Sequence, residues 1–217
     1  MKIVKSLSAV ALTLSTVAFA QAADVAYNIG VVSLYKSSGV DQDGADKSVQ
    51  PAIQGGVDLS LDGGLYVGNW NSTGSFGGGD VEIDVYAGYA SDLGNGVGYD
   101  IGYAYYYYPD TTGWNGGEIY ASLSFGGLKA KVTRGVTGSI EDASRASLTY
   151  THAATETTAL NITYGKRNVT AGDYSDYAVG VSHDLGSGRA LSATYSAASG
   201  SDSSRDGRLV VGATQSF

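Results

Sequence analysis

VGYDIGYAYYYY, residues Val97 to Tyr108, decides the fold. Val97, Tyr99, Ile101, Tyr103, Tyr105 and Tyr107 share one parity, while Gly98, Asp100, Gly102 and Ala104 share the other. Successive strand side chains point to opposite faces, so the segment has one large amphipathic face and one small face carrying a carboxylate. A strand tilted by about 45° needs roughly 9–11 residues to cross a hydrocarbon layer, and this one is long enough.

The same alternation extends in both directions along the chain. Upstream, Val81, Ile83, Val85, Ala87 and Tyr89 oppose Glu82, Asp84, Tyr86 and Gly88. Downstream, Ile119, Ala121, Leu123 and Phe125 oppose Glu118, Tyr120, Ser122 and Ser124. Gly126-Gly127 reads as a two-residue hairpin into Leu128, Ala130 and Val132, with Lys129 and Lys131 on the other face. Further strands are predicted over 24–36, 49–61, 65–71, 144–152, 175–185 and 208–217, with others around Leu160 to Tyr164 and Leu191 to Tyr195. The stretch Ser72 to Gly79 reads as a Gly-rich loop. Twelve strands result, or ten or fourteen if the weak third, seventh or ninth are read otherwise. Long and short connections alternate between them. The expected fold is therefore all-β, a transmembrane antiparallel up-and-down β-barrel.

Composition agrees with a closed sheet. The 217 residues include 32 Gly and 17 Tyr against 2 Pro and no Cys, so neither disulfides nor thiol-bound metals contribute. The net charge of −8 makes nucleic acid an unsuitable partner. Residues 1–22 read as a secretory signal, with Lys2 and Lys5 ahead of an uncharged run and small residues at Ala20-Gln21-Ala22, which leaves residues 23–217 as one domain. No other long apolar run follows, so a helical membrane protein is excluded.

A barrel in a bilayer carries aromatic belts at both interfaces. The expected girdle at the loop end is Tyr35, Trp70, Tyr105, Tyr107, Tyr164 and Tyr177. At the turn end it is Tyr27, Tyr66, Tyr89, Tyr99, Phe125, Tyr150 and Phe217. Parity alone allows either Leu65 and Val67 or Tyr66 and Trp70 to face outward, and the belt pattern favours the second pair. The inward charges are unevenly signed. Asp58, Glu82, Asp84, Asp100 and Glu118 come from the earlier strands, and Lys129, Lys131, Arg145 and Arg208 from the later ones, with Asp176 and Asp184 as exceptions. Opposed acidic and basic walls would set up a transverse field acting on ions or small polar solutes. The alternative is that these groups pair with one another and fill a closed lumen.

PAIQGGVDLSLDGGLYVGNW (51–70), VEIDVYAGYASDLGNGVGYDIGYAYYYYP (81–109), GEIYASLSF (117–125) and DYSDYAVGVS (173–182) resemble the TorF family of proteobacterial porins. The resemblance implies an outer-membrane barrel with a pore role, and it brings no catalytic or ligand residues. Phe217, ending an amphipathic strand, looks like the carboxyl-terminal signature read by the outer-membrane assembly machinery.

Other chemistry is weakly supported. His152 and His183 share outward parities, so neither a Ser-His hydrolase nor a two-His metal site is expected. Asp41 to Asp46 has calcium-loop composition, but the Gly is misplaced for an EF-hand. Gly74 to Gly79 lacks the Lys-Ser/Thr of a phosphate loop. The reading is a porin-like outer-membrane channel with no cofactor and no catalysis, whose partners are the bilayer and small solutes. The rival is a non-conducting structural or surface-interaction barrel.

Overall fold

The computed structural model describes residues 24–42, 49–170 and 172–217. The expected leader lies outside them, as does the 43–48 part of the acidic loop. Alternating sequence becomes a closed antiparallel barrel of twelve strands. These are β1 (Asp24–Val32), β4 (Ala52–Ser60), β5 (Leu65–Phe76), β6 (Gly79–Asp92), β7 (Val97–Tyr107), β8 (Gly116–Phe125), β9 (Leu128–Gly138), β10 (Ser144–Ala153), β11 (Thr158–Asn168), β12 (Tyr174–Gly186), β13 (Arg189–Ala198) and β14 (Arg208–Ser216). Two short strands, β2 (Lys36–Ser37) and β3 (Val40–Asp41), pair separately in the first long connection.

Each barrel strand pairs with its sequence neighbour, and β1 closes the sheet against β14 from Asn28↔Ser216 to Val32↔Gly212. Phe217 fastens the seam, its amide donating to the Tyr27 carbonyl at 2.9 Å and its ring stacking on Tyr27 at 5.0 Å. Closure removes the exposed strand edges that would otherwise recruit other chains. Tight reversals need left-handed backbone. Ser187 and Gly188 both have positive φ, as the two-residue turn between β12 and β13 requires.

The outer face is apolar. Ile101 is 50% exposed and Val85 47%, and among the described residues no second layer covers them. Tyr27, Tyr89, Tyr99, Phe125, Tyr150 and Phe217 project outward toward the turn end, and Tyr105, Tyr107, Tyr164 and Tyr177 toward the loop end. So continuous an apolar surface far exceeds what a water-soluble monomer carries.

Three expected girdle residues face the other way. Tyr66 is 7% exposed and Tyr35 3%, and both lie inside the barrel; Trp70 also points inward, against Tyr35 at 5.6 Å. Register is the reason for the β5 pair. Tyr66 is opposite Gly88 and Trp70 opposite Asp84, both inward positions of β6, whereas Leu65 and Val67 are opposite the outward Tyr89 and Ala87. This phase turns Asn69 and Asn71 outward, where the two amides satisfy each other. Asn71 Nδ2 donates to Asn69 Oδ1 at 2.6 Å, and Asn69 Nδ2 to the Asp84 carbonyl at 2.9 Å. Tyr35 escapes its expected place because β1 ends at Val32 and the chain then folds inward.

The Gly-rich stretch is also not a loop. β5 continues to Phe76, which is fully buried, and reverses through Gly77 and Gly78, both with positive φ, directly into β6.

Inward tyrosines of β5, β6 and β8 lie across glycines on the neighbouring strand. A Cβ on Gly68 would stand 2.3 Å from the Tyr86 ring, one on Gly88 2.3 Å from Tyr66 Oη, and one on Gly102 2.4 Å from Tyr120 Oη. Each Gly–Tyr pair is directly opposite in register. Gly88→Ala is expected to displace Tyr66 and destabilise the barrel by about 1–3 kcal/mol in urea titrations of lipid-reconstituted protein. Gly113→Ala, where a Cβ meets nothing within 4 Å, should change the midpoint little.

Candidate functional site

The inward faces and the segment that folds over the loop-end mouth form the candidate site. Strand order follows the sequence, so β4 to β8 make one arc of the wall and β10 to β14 the facing arc, with β9 at one junction.

The first arc is acidic and lined with tyrosine. Tyr66 Oη donates to Asp100 Oδ1 at 2.5 Å and contacts Tyr120 Oη. Tyr86 donates to Asp58, Tyr106 to Glu118 at 3.0 Å and Tyr108 to Glu82 at 2.8 Å. Phenol donors stabilise ionised carboxylates without cancelling their charge. Glu82, Asp84 and Glu118 are all buried.

The facing arc is basic. Arg145 forks onto Asp176, Nε to Oδ2 at 2.9 Å and Nη2 to Oδ1 at 2.6 Å. Lys129 and Lys131, on β9, flank the acidic arc, and Lys131 Nζ stands 4.4 Å over the Tyr120 ring. Arg208 is at the mouth, with Nη2 3.5 Å from Asp206 Oδ2 and Nε 3.8 Å from Asp41 Oδ2. The nine expected lumen charges thus occupy inward positions. Among the described residues, Arg145 forms its ion pair with Asp176 of β12 rather than with the acidic arc.

Sequence reasoning missed two contributors. Arg167 shares the inward parity of Asn161, Thr163 and Gly165 on β11, a signal visible once the outward Leu160, Ile162 and Tyr164 are marked. The other is the segment 33–42, which crosses the mouth. Its Tyr35 packs against Trp70 and Phe76 and donates to Glu82, while Lys36 bonds Asp41 and the carbonyls of Ser204 at 3.2 Å and Asp206 at 2.9 Å. One end therefore rests on the acidic arc and the other on the β13–β14 connection. Desolvation lowers the Lys36 ammonium from the ordinary lysine range, and its bond to Asp41 opposes that shift.

Neither histidine joins the lumen. His152 and His183 project from the outer face, His183 Nδ1 lying 2.9 Å from Thr158 Oγ1. Among the described residues no group of three His, Cys, Asp or Glu side chains could hold a metal ion.

A family model described as "bacterial protein of unknown function (Gcw_chp)" matches residues 18–214. The chain belongs to the Gcw_chp family. That description assigns no activity, and the TorF resemblance receives no separate match. No curated protein matches the sequence. The fold of this Gcw_chp chain is similar to that of the KdgM porin, with a TM-score of 0.61 at 10% identity over 89% of this chain and 98% of that one. A KdgM porin in complex with disordered oligogalacturonate matches equally well. The NanC porin has a TM-score of 0.51 at 10% identity, again covering 89% and 98% of the two chains. The Gcw_chp chain is thus a porin-like barrel in fold.

Arg145 and Asp176 offer a test of the wall's electrostatics, since Asp176 is 3% exposed. Arg145→Met strands a buried carboxylate and is expected to cost about 3 kcal/mol or more. Adding Asp176→Asn should restore most of that loss in a double-mutant cycle of urea unfolding.

Proposed function

We propose that the chain is an outer-membrane channel through which ions or small polar solutes diffuse passively. The observation that carries this reading is the sidedness of the closed sheet. Its exterior is continuously apolar and belted with aromatic rings, whereas its interior carries charges and amides, many of them reached by water. In a bilayer such a wall satisfies every backbone group internally and leaves a polar path along the axis. The same reading takes residues 1–22 as the export signal, and the last strand, ending in Phe217, as the element handled by the assembly machinery. It also places the chain with TorF-like porins of Gram-negative bacteria.

Transport by this route needs no turnover. The acidic arc raises the local concentration of cations and lowers that of anions, while Lys129, Lys131 and Arg167 draw the negative end of a dipolar solute. Oligogalacturonate, a polyanion named with the KdgM porin, would meet the repulsion of Glu82, Asp84 and Glu118 here. A smaller solute, neutral, cationic or zwitterionic, suits this lumen better. The inward segment 33–42 folds across the mouth and narrows it.

Single-channel recording in planar bilayers tests the reading. Wild-type protein should conduct with a preference for cations. Asp84→Asn with Asp100→Asn should lower the cation-to-anion permeability ratio by a factor of about 5 for each charge removed, since one unit charge at roughly 8 Å in water-like surroundings changes the cation and anion energies by about 0.5 kcal/mol each, with opposite signs. Tyr35→Ala should raise the unit conductance. Correctly folded protein giving no channel events would instead favour the non-conducting barrel, which the aromatic packing beneath the mouth would then explain.

A further inference from the structure

Beneath the inward segment, two carboxylates share the inward face of β6. Asp84 lies between Trp70 of β5 and Tyr106 of β7, and Glu82, one step nearer the mouth, lies between Ser72 and Tyr108. Tyr35 packs over them with Phe76 and Tyr108 and bonds Glu82. Glu82 is 4% exposed and Asp84 6%. Glu82 accepts from Tyr108, through Oε1, and from Tyr35, but Glu82 Oε2 and Asp84 Oδ1 are buried and receive no hydrogen bond. No ion pair reaches either carboxylate among the described residues. Arg167 acts electrostatically on Tyr106 and Tyr108 from across the lumen without contacting the acids.

An ionised carboxylate buried without a counter-charge is strongly disfavoured. Two such groups, each with an oxygen lacking a donor, call for a positively charged donor between them. Since no three ligating groups converge there, the donor set does not suit a metal ion. The walls are aromatic faces, which attract organic cations and cover the methylenes attached to them.

We propose that Glu82 and Asp84, with Trp70, Tyr106 and Tyr108, form a binding site for a small primary ammonium cation. The N–H groups donate to Glu82 Oε2 and Asp84 Oδ1, and the alkyl part packs against the rings. The inference rests on the channel reading, to which it adds a solute class: amines taken from the mouth and held once before crossing. Segment 33–42 covers the site, so entry requires Tyr35 to swing aside.

The chain has two tryptophans, and Trp114 stands in the β7–β8 connection, so Trp114→Phe leaves Trp70 as a reporter inside the site. The probe is n-butylammonium chloride, titrated at pH 8 into reconstituted protein, with sodium chloride at equal ionic strength and neutral n-butanol as controls. A saturable change in Trp70 emission, absent from both controls, is expected. Tetramethylammonium, which has no N–H to donate, should need at least ~10-fold more for the same change. Asp84→Asn should weaken binding by roughly 10- to 100-fold with the barrel's circular dichroism retained. Absence of a saturable change in Trp114→Phe with Glu82 and Asp84 intact would overturn the proposal. An equal response to n-butanol, or an unchanged response in Asp84→Asn, would also overturn it. The titration does not depend on conduction. Binding without channel events would sink the pore and keep the site, and channel events without binding would do the reverse.

Discussion

Inside this barrel a tyrosine ring can lie flat across a strand only where the facing residue is glycine. Gly68 beneath Tyr86 and Gly88 beneath Tyr66 meet that condition on the β5–β6 pair, and Gly102 beneath Tyr120 meets it on the β7–β8 pair. The geometry brings the hydroxyl of each ring toward the carboxylates of the same arc, so Tyr66 reaches Asp100 and Tyr86 reaches Asp58. Packing and polar satisfaction are thereby one arrangement. It stiffens one side of the lumen, since displacing a ring both opens a void and removes a donor from a charged acceptor.

That arrangement also explains why the two sides of the lumen differ. The acidic arc is filled by its own aromatic rings and gathers the carboxyl groups of Asp58, Glu82, Asp84, Asp100 and Glu118. The facing arc, from β10 to β14, carries Thr, Ser, Asn and Gly at most inward positions and pairs its principal guanidinium with Asp176. The smaller inward side chains therefore lie toward β10–β14, opposite the aromatic arc. Segment 33–42 bridges the two sides at the mouth, Tyr35 on the aromatic side and Lys36 on the β13–β14 connection.

Much of this was legible in the linear chain because period two is an unambiguous signal when large and small residues alternate, as in Val97 to Tyr108 and Val81 to Tyr89. The inward positions of Glu82, Asp84, Asp100 and Glu118 followed directly. The same signal fails where both parities are hydrophobic. Leu65 and Val67 compete with Tyr66 and Trp70 on equal terms, and aromatic residues suit a membrane interface and a lumen wall alike, so only pairing with Gly88 and Asp84 settles the phase. Gly-rich composition likewise reads as flexible loop, although at Gly77-Gly78 it serves a two-residue reversal that buries Phe76. Arg167 was within reach of the same parity count, at the end of a strand whose inward face had not been followed.

By itself the sequence determined the all-β class, the alternation that turns apolar side chains outward, and the unequal distribution of charge between the two halves of the chain. Those are local properties, set by the order of residues along each strand. Tertiary structure alone decided the phase of β5, the inward fold of Tyr35 and the meeting of Glu82, Asp84, Trp70 and Tyr106 in one place. These depend on which residues of different strands stand opposite one another, and that register is established only when the sheet closes on itself.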